Sequence, residues 1–173
     1  TFTRAVSTAT SVKVTGLVKG TAYTFRVGAV NAAGLGSYSF KSSPAVTPRA
    51  VPDIPTGVSG TVNNTGGVVL SWTAPANNGN AISDYTVQWC LATCTTFVDA
   101  VSAVTAATVT GLTNGTAYTF KVAATNAAGT GGFGVTSGAP PTPRVVPDAP
   151  TGVTAAVDNT GGVDVSWTAT TKN

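Results

Sequence analysis

The sequence repeats itself, and the length of the repeat decides what the chain can fold into. Residues Gly16–Gly36 read GLVKGTAYTFRVGAVNAAGLG, and Gly111–Gly131 read GLTNGTAYTFKVAATNAAGTG. Pro55 and Pro150, Trp72 and Trp167, Tyr23 and Tyr118, and Asn31 and Asn126 all stand 95 residues apart, with no gap needed. A solenoid unit shares its core with its neighbours and is shorter. A period of this length suits a small domain that closes its own core.

Matching the copies gives the expected organisation. Thr1–Arg49 aligns with Thr96–Arg144, and Val146–Asn173 aligns with Val51–Asn78. The chain therefore reads as the C-terminal part of one module over 1–49, a complete module over 50–145, and the N-terminal part of another over 146–173. The boundaries read TPRAVPDIPTGV and TPRVVPDAPTGV. Closely spaced prolines fix φ and favour a short, semi-rigid, extended joint.

Within the repeat, Tyr118, Phe120, Val122 and Ala124 alternate with Thr119, Lys121 and Ala123, as Tyr23, Phe25, Val27 and Ala29 do earlier. That is the period of a strand with one buried face. In the central module the pattern predicts strands over Val58–Val62, Val68–Thr73, Ile82–Cys90, around Thr96–Val98 and Ala107–Thr110, and over Thr116–Asn126, with a last one beginning at Gly134–Thr136. The turn between the first two is Asn63–Gly67, where Asn and Gly accept positive φ at little cost. Trp72, Tyr85, Val87, Leu112, Tyr118, Phe120 and Val122 are the expected core, with Tyr23, Phe25, Val27 and Trp167 at equivalent places in the flanking copies. Seven short strands at this spacing predict an all-β, immunoglobulin-like sandwich of two sheets.

The landmarks come in a particular order: Pro-x-x-Pro, Ser71-Trp72, NNGNAISDYTVQW, Gly111-Leu112, Gly115-Thr116-Ala117-Tyr118 and Asn126-Ala-Ala-Gly129. In this the whole chain resembles the fibronectin type III family. The resemblance implies tandem sandwiches of three strands on four, with Trp72 as the core Trp of the second strand and Tyr118 as the tyrosine-corner residue. There is no Arg-Gly-Asp, so integrin binding through that motif is not carried over. On physical grounds the Tyr118 ring should enter the core while its hydroxyl bonds a nearby carbonyl.

The chemistry on offer is thin. The chain has no His, which removes the usual nucleophilic triads and His-rich metal sites. Asp84 and Asp99 are conceivable as an acid and base pair, but strand-end aspartates are far more often solvated turn residues. The Asn-Thr-Gly-Gly stretches at Asn64 and Asn159 lack the following Lys-Ser/Thr of a phosphate loop and read as hairpin turns. No catalytic, metal or cofactor site is expected, and the chain does not read as an enzyme. A net charge of +3, with charged residues only 9% of the total and no basic run, gives nucleic-acid binding little support. No apolar run approaches the ~20 residues of a membrane span. Residue 1 already lies inside a repeat, so any targeting signal is expected outside this stretch.

Cys90 and Cys94 flank a three-residue loop, where antiparallel strands would bring them within disulfide reach. A local disulfide, implying an oxidising compartment, is favoured over two free thiols. Asn63-Asn64-Thr65 and Asn114-Gly115-Thr116 match the glycosylation acceptor pattern, which arises often by chance in such a sequence. The loop carrying Asn77, Asn78 and Asn80 is the expected place for a partner contact.

Two functions fit. One is a structural or adhesive module array of an extracellular surface protein, filament or virion fibre, its partners being neighbouring modules, copies of itself or a surface ligand. The other is a spacer in a secreted polysaccharide-degrading enzyme whose catalytic domain lies elsewhere. The low charge, the Thr, Ala and Gly richness and the close similarity of the copies point to a bacterial or phage protein. The two partial modules are expected to continue in a longer chain or to pair head-to-tail between chains.

Overall fold

A computed structural model describes residues 7–91, 98–102 and 104–170. Among these residues the secondary structure is entirely strand and turn. Two strands form early in the chain, β1 (Gly28–Asn31) and β2 (Gly34–Tyr38). The central stretch supplies β3 (Thr56–Val62), β4 (Val68–Thr73), β5 (Ile82–Leu91), β6 (Val98–Ser102), β7 (Ala106–Val109), β8 (Tyr118–Asn126), β9 (Gly129–Thr130) and β10 (Gly134–Val135). Two more follow, β11 (Thr151–Val157) and β12 (Val163–Thr168).

Strands β3 to β10 build a two-layer sandwich. One sheet has the order β3-β4-β7; the other runs β10-β8-β5-β6, with β9 paired to the end of β8. The alternation explains why they close on each other. Val68, Leu70 and Trp72 of β4 face inward while Val69, Ser71 and Thr73 face out. Across the gap stand Tyr85 and Val87 of β5 and Tyr118, Phe120, Val122 and Ala124 of β8, with Val58 and Val109 completing the buried cluster. Leu112 packs against this core from its edge, only partly buried. Trp72 meets Tyr85 edge-on, ring centroids 5.3 Å apart. Three strands thus face four and the short β9, in agreement with the expected sandwich.

Several of the sequence-based strand limits shift by a residue or more, those of the central strand and of the strand after β5 among them. The central strand β8 begins at Tyr118, not Thr116, because Thr116 closes the preceding turn by donating its N–H to the Thr113 carbonyl at 3.3 Å. The strand expected at Thr96–Val98 is found as β6, Val98–Ser102, pairing with β5 from Trp89↔Val98 to Tyr85↔Ser102; Thr96 itself lies outside the described residues.

Four expected core residues are not core in this chain. Val27 is 73% and Trp167 59% exposed, and Tyr23 and Phe25 are only half-buried. The reason is architectural. Among the described residues the β11–β12 hairpin pairs only with itself, as does β1–β2, which follows Tyr23, Phe25 and Val27, so neither flanking copy shows an opposing sheet over its apolar side. The turn of the last hairpin is nonetheless built like that of the sandwich. Asn63 Oδ1 accepts the Thr65 and Gly67 N–H groups at 3.0 and 2.9 Å, and Asp158 Oδ1 accepts those of Thr160 and Gly162, both at 2.8 Å. These two N–H donors hold the Asp158 carboxyl below its ordinary range.

Candidate functional site at the module joint

Polar and glycine residues converge where the linker after Pro48 enters the sandwich. Asn126, at the end of β8, is a polar residue only 4% exposed. Its Nδ2 donates to the Ala50 and Asn77 carbonyls, both at 2.9 Å, while its Oδ1 accepts the Ala128 N–H at 2.8 Å. A buried amide left unpaired would cost a few kcal/mol, so these bonds tie three segments together. Asn78 adopts a left-handed backbone, φ 53°, which its short polar side chain tolerates. Its Nδ2 donates to the Val51 carbonyl at 2.8 Å and to Asp53 Oδ1 at 2.9 Å. Backbone bonds complete the seam: Ala50 N–H to the Asn78 carbonyl at 3.1 Å, and Asp53 N–H to the Ala76 carbonyl at 3.0 Å.

Glycines make room for this linker. A side-chain carbon on Gly131 would overlap the Pro52 carbonyl, one on Gly134 the Pro55 carbonyl, and one on Gly132 would stand 2.8 Å from Ile54 Cγ1. The equivalents of Gly132 and Gly134 in the earlier copy are Ser37 and Ser39. The preceding copy touches the seam through its own turn. Gly20 donates its N–H to the Pro48 carbonyl at 3.0 Å and packs against Gly79. The loop expected to receive a partner is thus occupied in part by the chain itself: Asn78 holds the linker, the Asn77 carbonyl accepts the Asn126 amide, and Asn80 donates its N–H to the Asn77 carbonyl at 3.3 Å.

Beside the seam is a shallow open groove bordered by Lys19, Gly20, Asn77, Gly79, Ile82 and Tyr85. Burial pushes the Tyr85 phenol above its ordinary 10.0, the indole N–H of Trp72 acting in the opposite sense. That N–H lies near the phenol without making a bond of full hydrogen-bond geometry. Asp53 is tied to Asn78, and Asp84 accepts the N–H of Tyr85 at 2.8 Å; the Asp99 side chain lies outside the described part. Among the described residues no three His, Cys, Asp or Glu side chains gather as a metal site, and no helix is long and apolar enough to cross a membrane. Cys90, 7% exposed at the end of β5, is disulfide-bonded; Cys94 lies outside the described residues.

Two features of the core and surface were not read from the sequence as they stand. The Tyr118 hydroxyl accepts the Thr113 N–H at 3.0 Å, where the sequence led to a bond with a carbonyl. The earlier copy repeats this with Val18 N–H to the Tyr23 hydroxyl at 3.0 Å. On the outer face Lys121 Nζ sits 4.4 Å from the Phe133 ring centre, and Arg26 Cζ sits 4.3 Å from that of Tyr38, its equivalent pair.

The family model of the fibronectin type III domain matches residues 2–45 and 53–137. The chain belongs to the fibronectin type III family. As a fibronectin type III chain it is 36% identical over 128 residues to chitinase A1 of Niallia circulans, a match covering 70% of this chain and 18% of the chitinase. It is 36% identical over 165 residues to endoglucanase B of Cellulomonas fimi, covering 90% of this chain and 16% of that protein. The chain thus spans less than a fifth of either relative. Domains d3–d4 of the rat CD45 extracellular region share the fold, with a TM-score of 0.57 and 16% identity over 80% of this chain and 74% of that one.

Proposed function

We propose that these fibronectin type III modules are non-catalytic spacers of a longer, secreted bacterial enzyme that acts on a polysaccharide. The observation that carries this reading is the pair of matches above: modules like these occupy a minor part of a chitinase and of an endoglucanase. The physical features agree. The interior is filled by Trp72, Tyr85, Phe120 and their neighbours, while Asp53 accepts from the Asn78 side-chain amide and Asp84 from the Tyr85 N–H. Modules of this kind set the distance between working parts.

The test is made on the parent protein. Deleting the modules should leave turnover of a short soluble oligosaccharide unchanged and lower turnover of the insoluble polymer. A loss of soluble turnover in a folded deletion, or a parent gene without any hydrolase domain, would overturn the reading. The second outcome would leave the surface array, which draws its support from the tandem repetition itself.

A further inference from the structure

We propose that the linker is a strand shared by the two modules it joins, bonded along both edges, so that successive modules are coupled rigidly. The chain contains this linker twice, 95 residues apart, and each copy displays one edge. Arg49, Ala50, Val51 and Asp53 of the first joint correspond to Arg144, Val145, Val146 and Asp148 of the second.

The second joint shows the edge that faces the preceding module. Val145 forms an antiparallel bridge with Thr65, in the turn between β3 and β4. Its neighbours make the flanking bonds: Gly66 N–H to the Arg144 carbonyl at 3.0 Å, and Val146 N–H to the Asn64 carbonyl at 3.3 Å. Arg144 Nε adds a bond to Asn64 Oδ1 at 3.0 Å. In such a bridge the N–H and carbonyl of the central residue point the other way. The first joint shows where they go. Ala50, equivalent to Val145, donates its N–H to Asn78 and offers its carbonyl to Asn126, both in the following module.

The two sets of bonds therefore use different atoms of the same residue and are mutually compatible. Overlaid at the repeat offset, they leave the central linker residue satisfied on both sides. Both joints also share their entry, Gly20 N–H to Pro48 at 3.0 Å and Gly115 N–H to Pro143 at 2.9 Å. Prolines alone would stiffen the connection; bonding on two edges fixes its direction as well. A joint built this way gives a spacer a set length and orientation. That use rests on the spacer reading, while the bonding does not.

The experiment uses the whole 173-residue chain. Residual dipolar couplings from β1–β2 and from β3–β10 should fit one alignment tensor, and the Ala50, Asp53 and Val146 amides should exchange slowly with solvent. The variant Asn78→Gly keeps the left-handed backbone and deletes the amide clamp. It should speed exchange at Ala50 and Asp53 about tenfold, the effect of one ordinary hydrogen bond. Val146, held at the other joint, and Val87, in the core, should not change. Separate tensors for the two parts of the unaltered chain, or Ala50 exchange indifferent to Asn78→Gly, would overturn the shared strand. Neither result bears on whether the parent protein is an enzyme.

Discussion

Gly20 and Gly79 meet backbone to backbone across the first joint. A side-chain carbon on Gly79 would stand 2.7 Å from the Gly20 nitrogen and 2.9 Å from the Pro48 carbonyl oxygen. Gly79 also has φ 90°, where an L side chain is strained. Gly111 has a similar φ of 72° with open space around its added carbon. Gly111→Ala should therefore cost only backbone strain, on the order of 1–2 kcal/mol. Gly79→Ala carries the same strain plus the collision. Thermal unfolding of both variants separates the two terms, and equal losses would mean that the joint yields to the extra carbon.

The two equivalent tryptophans should respond differently to one substitution. Trp72 is 6% exposed and packed on Tyr85, while Trp167 is 59% exposed. Trp72→Ala should cost on the order of 3–5 kcal/mol. In this chain Trp167→Ala should stay within about 0.5 kcal/mol, as surface changes do. Urea unfolding of the pair gives the comparison, and a small loss at Trp72 would contradict the core described above.

Tyr118→Phe keeps the ring and removes the acceptor for the Thr113 N–H. A loss of about 1 kcal/mol is expected, since one hydrogen bond goes and the freed donor is only partly covered. The denaturant midpoint should fall with an unchanged slope. An unmoved midpoint would assign the corner's stability to the ring alone.

Alkaline pH should weaken the sandwich through Tyr85. Burial raises its phenol above the ordinary 10.0, so the folded state keeps a proton that the unfolded chain gives up. The stability tied to this group is complete below pH 10.0 and is lost as pH rises through the folded-state pKa. The chain has no His, so the urea midpoint should be nearly flat from about pH 6 to 9 and fall above it. Tyr85→Phe should blunt that fall. An identical alkaline decline in the variant would place the titrating group elsewhere.

The sandwich was legible because its information is local and periodic. Val68, Leu70 and Trp72 alternate with Val69, Ser71 and Thr73, and a period of two has one structural meaning. Burial of whole strands was less legible. Val27 and Val122 occupy equivalent places in near-identical sequence, yet one is 73% exposed and the other fully buried. The difference lies in which other strands are present to cover them. The joint was the least legible part. Asn126 was visible as a landmark at the strand exit, but its partners Ala50 and Asn77 are distant in sequence and pair with it only after the sheets have closed. A polar residue that recurs at the last inward-facing position of a strand was the available signal. Gly131, Gly132 and Gly134 were similarly mute, since a glycine that admits a neighbouring carbonyl looks the same in sequence as one that makes a turn.

The linker holds almost no slack. A flexible tether lengthens when pulled and absorbs the first part of any load; here Ala50, Val51 and Asp53 already have bonded backbone groups, so little free contour remains to straighten. Tension applied to the ends would pass into the sandwich strands from the first ångström. The earliest yielding under force would then be the opening of a joint or a module, felt as a step and not as a gradual stretch.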